Sequence, residues 1–196
     1  MQRVIDLAHQ KKILQAKDLG SFGLSHSYLR SAVRQGILIQ VSRGLYIPAD
    51  ADFGEKLDFA IVAKRAPKAI FCLISALRFH NLTTQLASDV WIAISSSAHT
   101  PIIDYPPVRT VYMPKKCLDL GIERHVVETI PIQVYSVAKT VVDCFRFMDL
   151  VGMDVALESL EEALREARCN RAELLQFAKL CGVEKVVQES MGSVSK

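Results

Sequence analysis

The apolar positions of the first fifty residues change period several times, and each change predicts an element. Val4, Ile5, Leu7 and Ala8, with the run to Leu14, repeat at helical spacing and predict a helix over about 2–12. Residues 16–19 suit a second short helix, and Gly20, Ser21, Phe22 and Gly23 supply a turn. Ser25 can open a third helix, its hydroxyl oxygen accepting from a free backbone N–H. That helix runs to about Gln35, where Gly36 suits its stop. Leu29, Ala32 and Val33 share one face of it, and His26, Ser27, Arg30 and Arg34 share the other. Two strand-like runs follow at 38–41 and 45–47, joined by Ser42-Arg43-Gly44 and ended by Pro48. Helix, helix, turn, helix, hairpin is the order of a winged helix-turn-helix.

Residues 50–54 mark the expected boundary between a first domain, 1–50, and a second, 51–196. Residues 55–66 read as an amphipathic helix stopped before Pro67, and the apolar segment 69–82 as helical from about Ile74. Strands are expected at 90–95 and 108–112, separated by a Ser- and Pro-rich loop, and again at 130–135. Three helices, 136–148, 153–168 and 171–181, close the chain. In the middle one Met153, Leu157, Leu160, Leu164 and Ala167 form the expected core stripe. Its charged face carries Glu158, Glu161, Glu162, Arg165 and Glu166. At i,i+4 spacing Glu161 attracts Arg165 while Glu162 repels Glu166, which leaves room for a basic partner. The expected fold class is α/β (α+β): a winged helix-turn-helix followed by a larger mixed α/β domain ending in helices.

Composition narrows the class. Half of the 196 residues are hydrophobic and 23% are charged, which excludes disordered and fibrous chains. No apolar run approaches the ~20 residues that cross a bilayer, so no membrane partner is expected. Residues 1–12 hold Asp6, His9 and two lysines with no apolar centre, so no secretory signal is expected. The five cysteines, at 72, 117, 144, 169 and 181, have wide and irregular spacing without a Cys-x-x-Cys pair. Buried reduced thiols in a cytoplasmic protein are the reading that fits. The sequon Asn81-Leu82-Thr83 is read as chance in that setting.

The net charge of +3 conceals a split. Residues 1–50 hold seven basic and three acidic side chains, a net of +4, while the remainder is at −1. Leu19 to Ala49 contains no acidic residue at all. A phosphate backbone repels carboxylates and attracts Lys and Arg. A recognition helix reads base edges from its N-terminal half, with Arg able to pair bidentately with guanine. Ser25, His26, Ser27, Tyr28, Arg30 and Arg34 are therefore the DNA-facing candidates on the third helix, with Arg43 at the hairpin tip reaching a neighbouring phosphate or the minor groove. The alternative is a solvated helix face in a winged helix that binds protein.

Enzyme signatures are thin. Ser136-Val137-Ala138-Lys139 matches Ser-x-x-Lys without the companion elements of penicillin-recognising enzymes. Ser136 also stands where a helix N-cap is expected. His9, His26, His80, His99 and His125 are scattered singly, with no paired metal motif, and His80 suits a packed core position. No phosphate-binding glycine loop is present. No catalytic residue, cofactor or metal is expected.

Four stretches carry a family resemblance. They are the N-terminal unit ending in the hairpin Ser42-Arg43-Gly44-Leu45-Tyr46-Ile47-Pro48, residues 73–83 (Leu-Ile-Ser-Ala-Leu-Arg-Phe-His-Asn-Leu-Thr), residues 134–145 with Ala138-Lys139-Thr140 and Asp143, and residues 152–160. In these the chain resembles the AbiE-type abortive-infection antitoxins, the AbiEi-like transcriptional regulators of type IV toxin–antitoxin systems. The resemblance implies a winged helix that binds inverted repeats in the promoter of its own operon and represses it, by a dimer or by cooperating monomers. It implies a larger domain that neutralises a nucleotidyltransferase toxin, directly or indirectly, and no enzymatic activity. The alternative is a regulatory module that sequesters the toxin or another protein, with DNA binding secondary. Glu189-Ser190-Met191-Gly192 departs from the aromatic and leucine-bearing last helix that family members often show.

Overall fold

A computed structural model of the chain describes residues 2–20, 22–85 and 87–194. Among the described residues it has eleven α-helices and eight strands in two sheets, and the fold class is mixed α/β. The chain forms two compact units. The first takes the sequence up to Pro67 together with Pro101–Pro107 and Val126–Ile132; the second takes the remainder.

The first unit begins with α1 (Gln2–Lys11), β1 (Leu14–Gln15), α2 (Ala16–Gly20), α3 (Ser27–Arg34), β2 (Leu38–Ser42) and β3 (Leu45–Pro48). Its sheet runs β1-β3-β2, antiparallel throughout, with Leu14 opposite Tyr46 and Ile39 opposite Ile47. This is the topology of a winged helix-turn-helix, with β2–β3 as the wing. The expected turn at 20–23 includes Ser21, which lies outside the described residues. β1 was not visible as a period because it is two residues long; Lys12, at φ 61°, turns the chain into it. Val4, Leu7, Ala8, Leu14, Leu19, Leu29, Ala32 and Leu38 make the core of the three helices and the sheet.

Helix α3 starts two residues later than Ser25, but that serine still serves its first turn. Its hydroxyl oxygen accepts from the Ser27 N–H at 3.3 Å and its carbonyl from the Tyr28 N–H at 3.1 Å. At the other end Gly36, at φ +69°, donates to the Val33 carbonyl, and Ile37 donates to Ala32. These paired bonds satisfy the last free carbonyls and stop the helix where a left-handed residue is needed. Further along, a 3-10 turn (Gly54–Lys56) leads into α4 (Leu57–Arg65). Five consecutive residues of α4, Phe59 to Ala63, are buried, so it lacks the single apolar stripe expected of residues 55–66.

The second sheet has the order β6-β5-β4-β8-β7. Its strands are β4 (Ile70–Phe71), β5 (Val90–Ser95), β6 (Val108–Met113), β7 (Ile122–Val127) and β8 (Ile130–Tyr135). β5 and β6 run parallel in unbroken register from Val90↔Val108 to Ser95↔Met113. β4, the central strand, pairs antiparallel with β5 and parallel with β8. The sequence reading missed both β4, whose two residues merge into the apolar run of the next helix, and β7. The helices are α5 (Leu73–Phe79), α6 (Lys115–Leu118), α7 (Val137–Arg146), α8 (Met148–Val151), α9 (Met153–Arg165), α10 (Arg171–Cys181) and α11 (Glu184–Val194). Asn81, at φ 57°, closes α5 with the bonds Asn81→Arg78 and Leu82→Leu77, the role Gly36 has for α3.

Helix α7 is the centre of this unit. Every residue from Val137 to Phe145 is buried, and α5, α9 and α10 pack against it. One expectation is corrected at α9. The buried positions are Val155, Ala156, Ser159, Leu160 and Ala163, while Met153, Leu157 and Ala167 are exposed. Of the expected stripe Leu160 is buried, but the stripe passed over Ala156, Ser159 and Ala163, small residues that a close helix contact with α7 accepts. The departure noted at 189–192 falls in α11, where Val187 and Met191 are buried in the core. All five cysteines are free, with Cys72, Cys117 and Cys144 buried and Cys169 and Cys181 half-buried.

Candidate nucleic-acid interface

Helix α3 and the wing present the expected side chains to solvent. Ser25, His26, Ser27, Tyr28, Arg30 and Arg34 are all exposed, while Leu29 and Ala32 anchor the opposite face in the core. At ~100° per residue Ser27, Arg30 and Arg34 share one side of the helix; Tyr28 sits at its edge. Ser27 and Ser25 also bond through their hydroxyls at 3.1 Å, which fixes the first turn. Arg43 is exposed at the wing tip, where Gly44 at φ +70° permits the tight reversal.

The acidic residues of this segment lie elsewhere and are engaged. Asp18 takes Lys11 at 3.7 Å and accepts from the Gln15 N–H at 2.8 Å. Asp50 lies 3.7 Å from His9, and Asp6 accepts from the Gln2 amide at 2.9 Å. Lys12 faces Glu128 at 3.7 Å. Among the described residues none of Arg30, Arg34 and Arg43 forms an ion pair. Lys11 and Lys12 are thus the basic residues of this segment that meet carboxylates, which leaves the arginines of α3 and the wing available.

A further cation belongs to this surface. Arg65, the last residue of α4, donates from its guanidinium to the Arg43 carbonyl and to the Ser42 hydroxyl, the latter at 3.4 Å. It holds the wing at its turn. Its neighbour Lys64 accepts through its backbone carbonyl from the Gln15 amide at 3.4 Å, so the end of α4 grips β1 as well. Burial pushes the Lys64 ammonium below its ordinary value, Asp18 opposes this, and Lys11 and Lys17 add to it. Arg65 was legible only as a cation at the end of a predicted helix; its partner is a backbone carbonyl, which no residue pattern announces.

Residues 2–49 match the family of AbiEi antitoxin transcriptional regulators. The matched segment ends one residue after β3, so it includes α3 and the wing but not Arg65. No curated protein matches the chain. The matched segment includes the acid-free stretch from Leu19 to Ala49 and its exposed arginines.

The other chemical candidates resolve differently. Ser136 caps α7, its hydroxyl oxygen accepting from the Lys139 N–H at 3.3 Å. The Lys139 ammonium turns away from Ser136 to Asp143, 2.6 Å from Oδ1, with both side chains fully buried. The Ser-x-x-Lys spacing is therefore a helix cap followed by a buried ion pair. Burial raises the Asp143 carboxyl above its ordinary value, and Lys139 opposes that. His80 is a core residue, its Nε2 2.7 Å from the Tyr135 carbonyl. Among the described residues no group of three or more His, Cys, Asp or Glu is placed to hold a metal, and no helix is long and apolar enough to cross a membrane.

Proposed function

We propose that the protein is an antitoxin and transcriptional autorepressor of a bacterial toxin–antitoxin operon. Residues 1–50 act as its DNA-binding domain, with α3 in the major groove of inverted repeats in its own promoter and Arg43 on the flanking backbone. Residues 51–196 act as the antitoxin domain, neutralising a nucleotidyltransferase toxin in the cytoplasm without catalysis of their own. The observation that carries the DNA reading is the set of three exposed, unpaired arginines on α3 and the wing, within a stretch free of acid. Serine and histidine beside them can donate or accept at base edges. The antitoxin reading is carried by the matched family.

A gel shift with the protein's own promoter fragment tests the first half. Arg30→Ala and Arg34→Ala should each weaken binding by ~1–3 kcal/mol if the contact reads a base. Wild-type affinity should fall steeply with salt, as phosphate contacts require. Unchanged binding by the double variant would remove the reading. For the second half, growth is followed while the product of the reading frame adjacent to this gene is expressed with and without the full chain. Growth that stays arrested in its presence refutes neutralisation.

A further inference from the structure

Helices α8 and α9 expose apolar side chains that the fold does not use. Met148, Leu150, Met153 and Leu157 are 38%, 56%, 41% and 36% exposed, all within ten residues of chain. The core contact of α9 is already complete on its opposite side, through Ala156, Ser159, Leu160 and Ala163. At ~100° per residue Met153, Leu157, Glu161, Asp154 and Glu158 follow one another around the outward arc. Apolar and acidic groups therefore share one face.

The charge on that arc is predominantly acidic, and its cation, Arg165 at ~120° on the same count, is engaged by Glu162. Among the described residues Asp149, Asp154, Glu158 and Glu161 form no ion pair, and all four are exposed. Nearer the C-terminal end of α9, Arg165 engages Glu162 and lies 3.6 Å from Glu166, with Arg168 also 3.6 Å from Glu166. Arg165 thus bridges Glu162 and Glu166, the two glutamates expected to repel, while still feeling the attraction of Glu161. The acid left over sits beside the exposed methionines and leucines.

We propose that this α8–α9 face is a docking surface for a basic amphipathic segment of another protein. Its occupant places apolar side chains over Met153 and Leu157 and Lys or Arg against Asp154, Glu158 and Glu161. Charge decides among the classes of occupant. Nucleic acid and anionic lipid are repelled by unpaired carboxylates. A second copy presenting the same face sets like charges against each other. Flexible methionines beside leucine adapt to more than one apolar contour, as helix-binding grooves require. The surface lies outside residues 2–49, so the proposal stands independently of operator binding.

The test titrates the full chain with a fluorescent amphipathic peptide of ~18 residues, about five helical turns, bearing Leu on one face and Lys on the other. A Glu-for-Lys counterpart and a Lys-bearing scramble are the controls. The Leu/Lys peptide should bind, and both controls should bind at least about tenfold more weakly. Asp154→Lys with Glu158→Lys, and separately Met153→Ser with Leu157→Ser, should each weaken binding about tenfold. The thermal transition and promoter binding of each variant report that the fold is intact. Variants that bind the peptide as the wild type does overturn the proposal, as does equal binding of the scramble. Self-association in sedimentation that the same variants abolish also overturns it, in favour of a second copy.

Discussion

The guanidinium of Arg65 donates to the backbone carbonyl of Arg43, so the tip of the wing is held by a helix that lies beyond the family-matched segment. A bond from a charged donor to a carbonyl is worth about 1.5–3 kcal/mol. Arg65→Ala should free the wing, and promoter affinity should fall about three- to tenfold with the α3 contacts intact. The slope of log affinity against log salt separates positioning from contact. It stays at the wild-type value if Arg65 acts through Arg43 and drops by ~0.9 if Arg65 itself meets a phosphate. An unaltered affinity in the gel shift would rule out the positioning role.

The Lys139–Asp143 pair predicts an asymmetry in stability. Both side chains are fully buried, and the ammonium also lies 4.2 Å from the centre of the Tyr135 ring. Removing one partner strands a charge in the core, which costs about 3–5 kcal/mol; replacing both by apolar groups of similar volume costs far less. Asp143→Ala should therefore shift the urea midpoint strongly, and Lys139→Met with Asp143→Leu should recover most of the loss. Additive losses in the double variant would argue against the pair as the source.

Gly121 explains a different constraint on the same helix. Its φ is +62°, and a Cβ there would come 2.7 Å from the Lys139 Cβ and 3.0 Å from the Ser136 hydroxyl. Its carbonyl accepts from the Ser136 N–H at 2.7 Å, immediately before α7. Gly121→Ala combines a disfavoured backbone region with overpacking, together about 2–4 kcal/mol. Thermal unfolding of the variant against wild type measures it, and a melting point unchanged within a degree or so would show that the backbone yields.

How far the residues announced this architecture depends on the length of each signal. Helix α3, the wing and β5 have enough residues for a period to show, and they lie where the pattern places them. β4 has two residues, yet it sits at the middle of a sheet, because its pairing is decided by β5 and β8 rather than by its own sequence. On α9 the error came from weighting large apolar residues. Ala156, Ser159 and Ala163 are buried because α7 packs close, and small residues permit that approach. The α3 candidates were legible because exposure and charge are local properties. Arg65 was not, since its role exists only once α4 folds against the wing.

His80 predicts how stability responds to acid. Its Nε2 lies 2.7 Å from the Tyr135 carbonyl, so that nitrogen carries the proton and the neutral ring is complete. Burial pushes the imidazole below its ordinary value of 6.5. The carbonyl bond and Glu123 oppose this, and Arg168 and His125 add to it. Phe79 covers the ring edge-on at 5.5 Å. In the folded state the ring resists a second proton that the unfolded chain takes readily. The unfolded state therefore binds more protons below about 6.5, and stability falls as pH drops through that value. It stops falling once the folded ring also titrates. The expected result is a melting temperature that declines from about pH 7 towards pH 5, with a shallower decline in His80→Gln, whose amide can still donate to Tyr135. Parallel curves for the two proteins would assign the acid sensitivity to other groups.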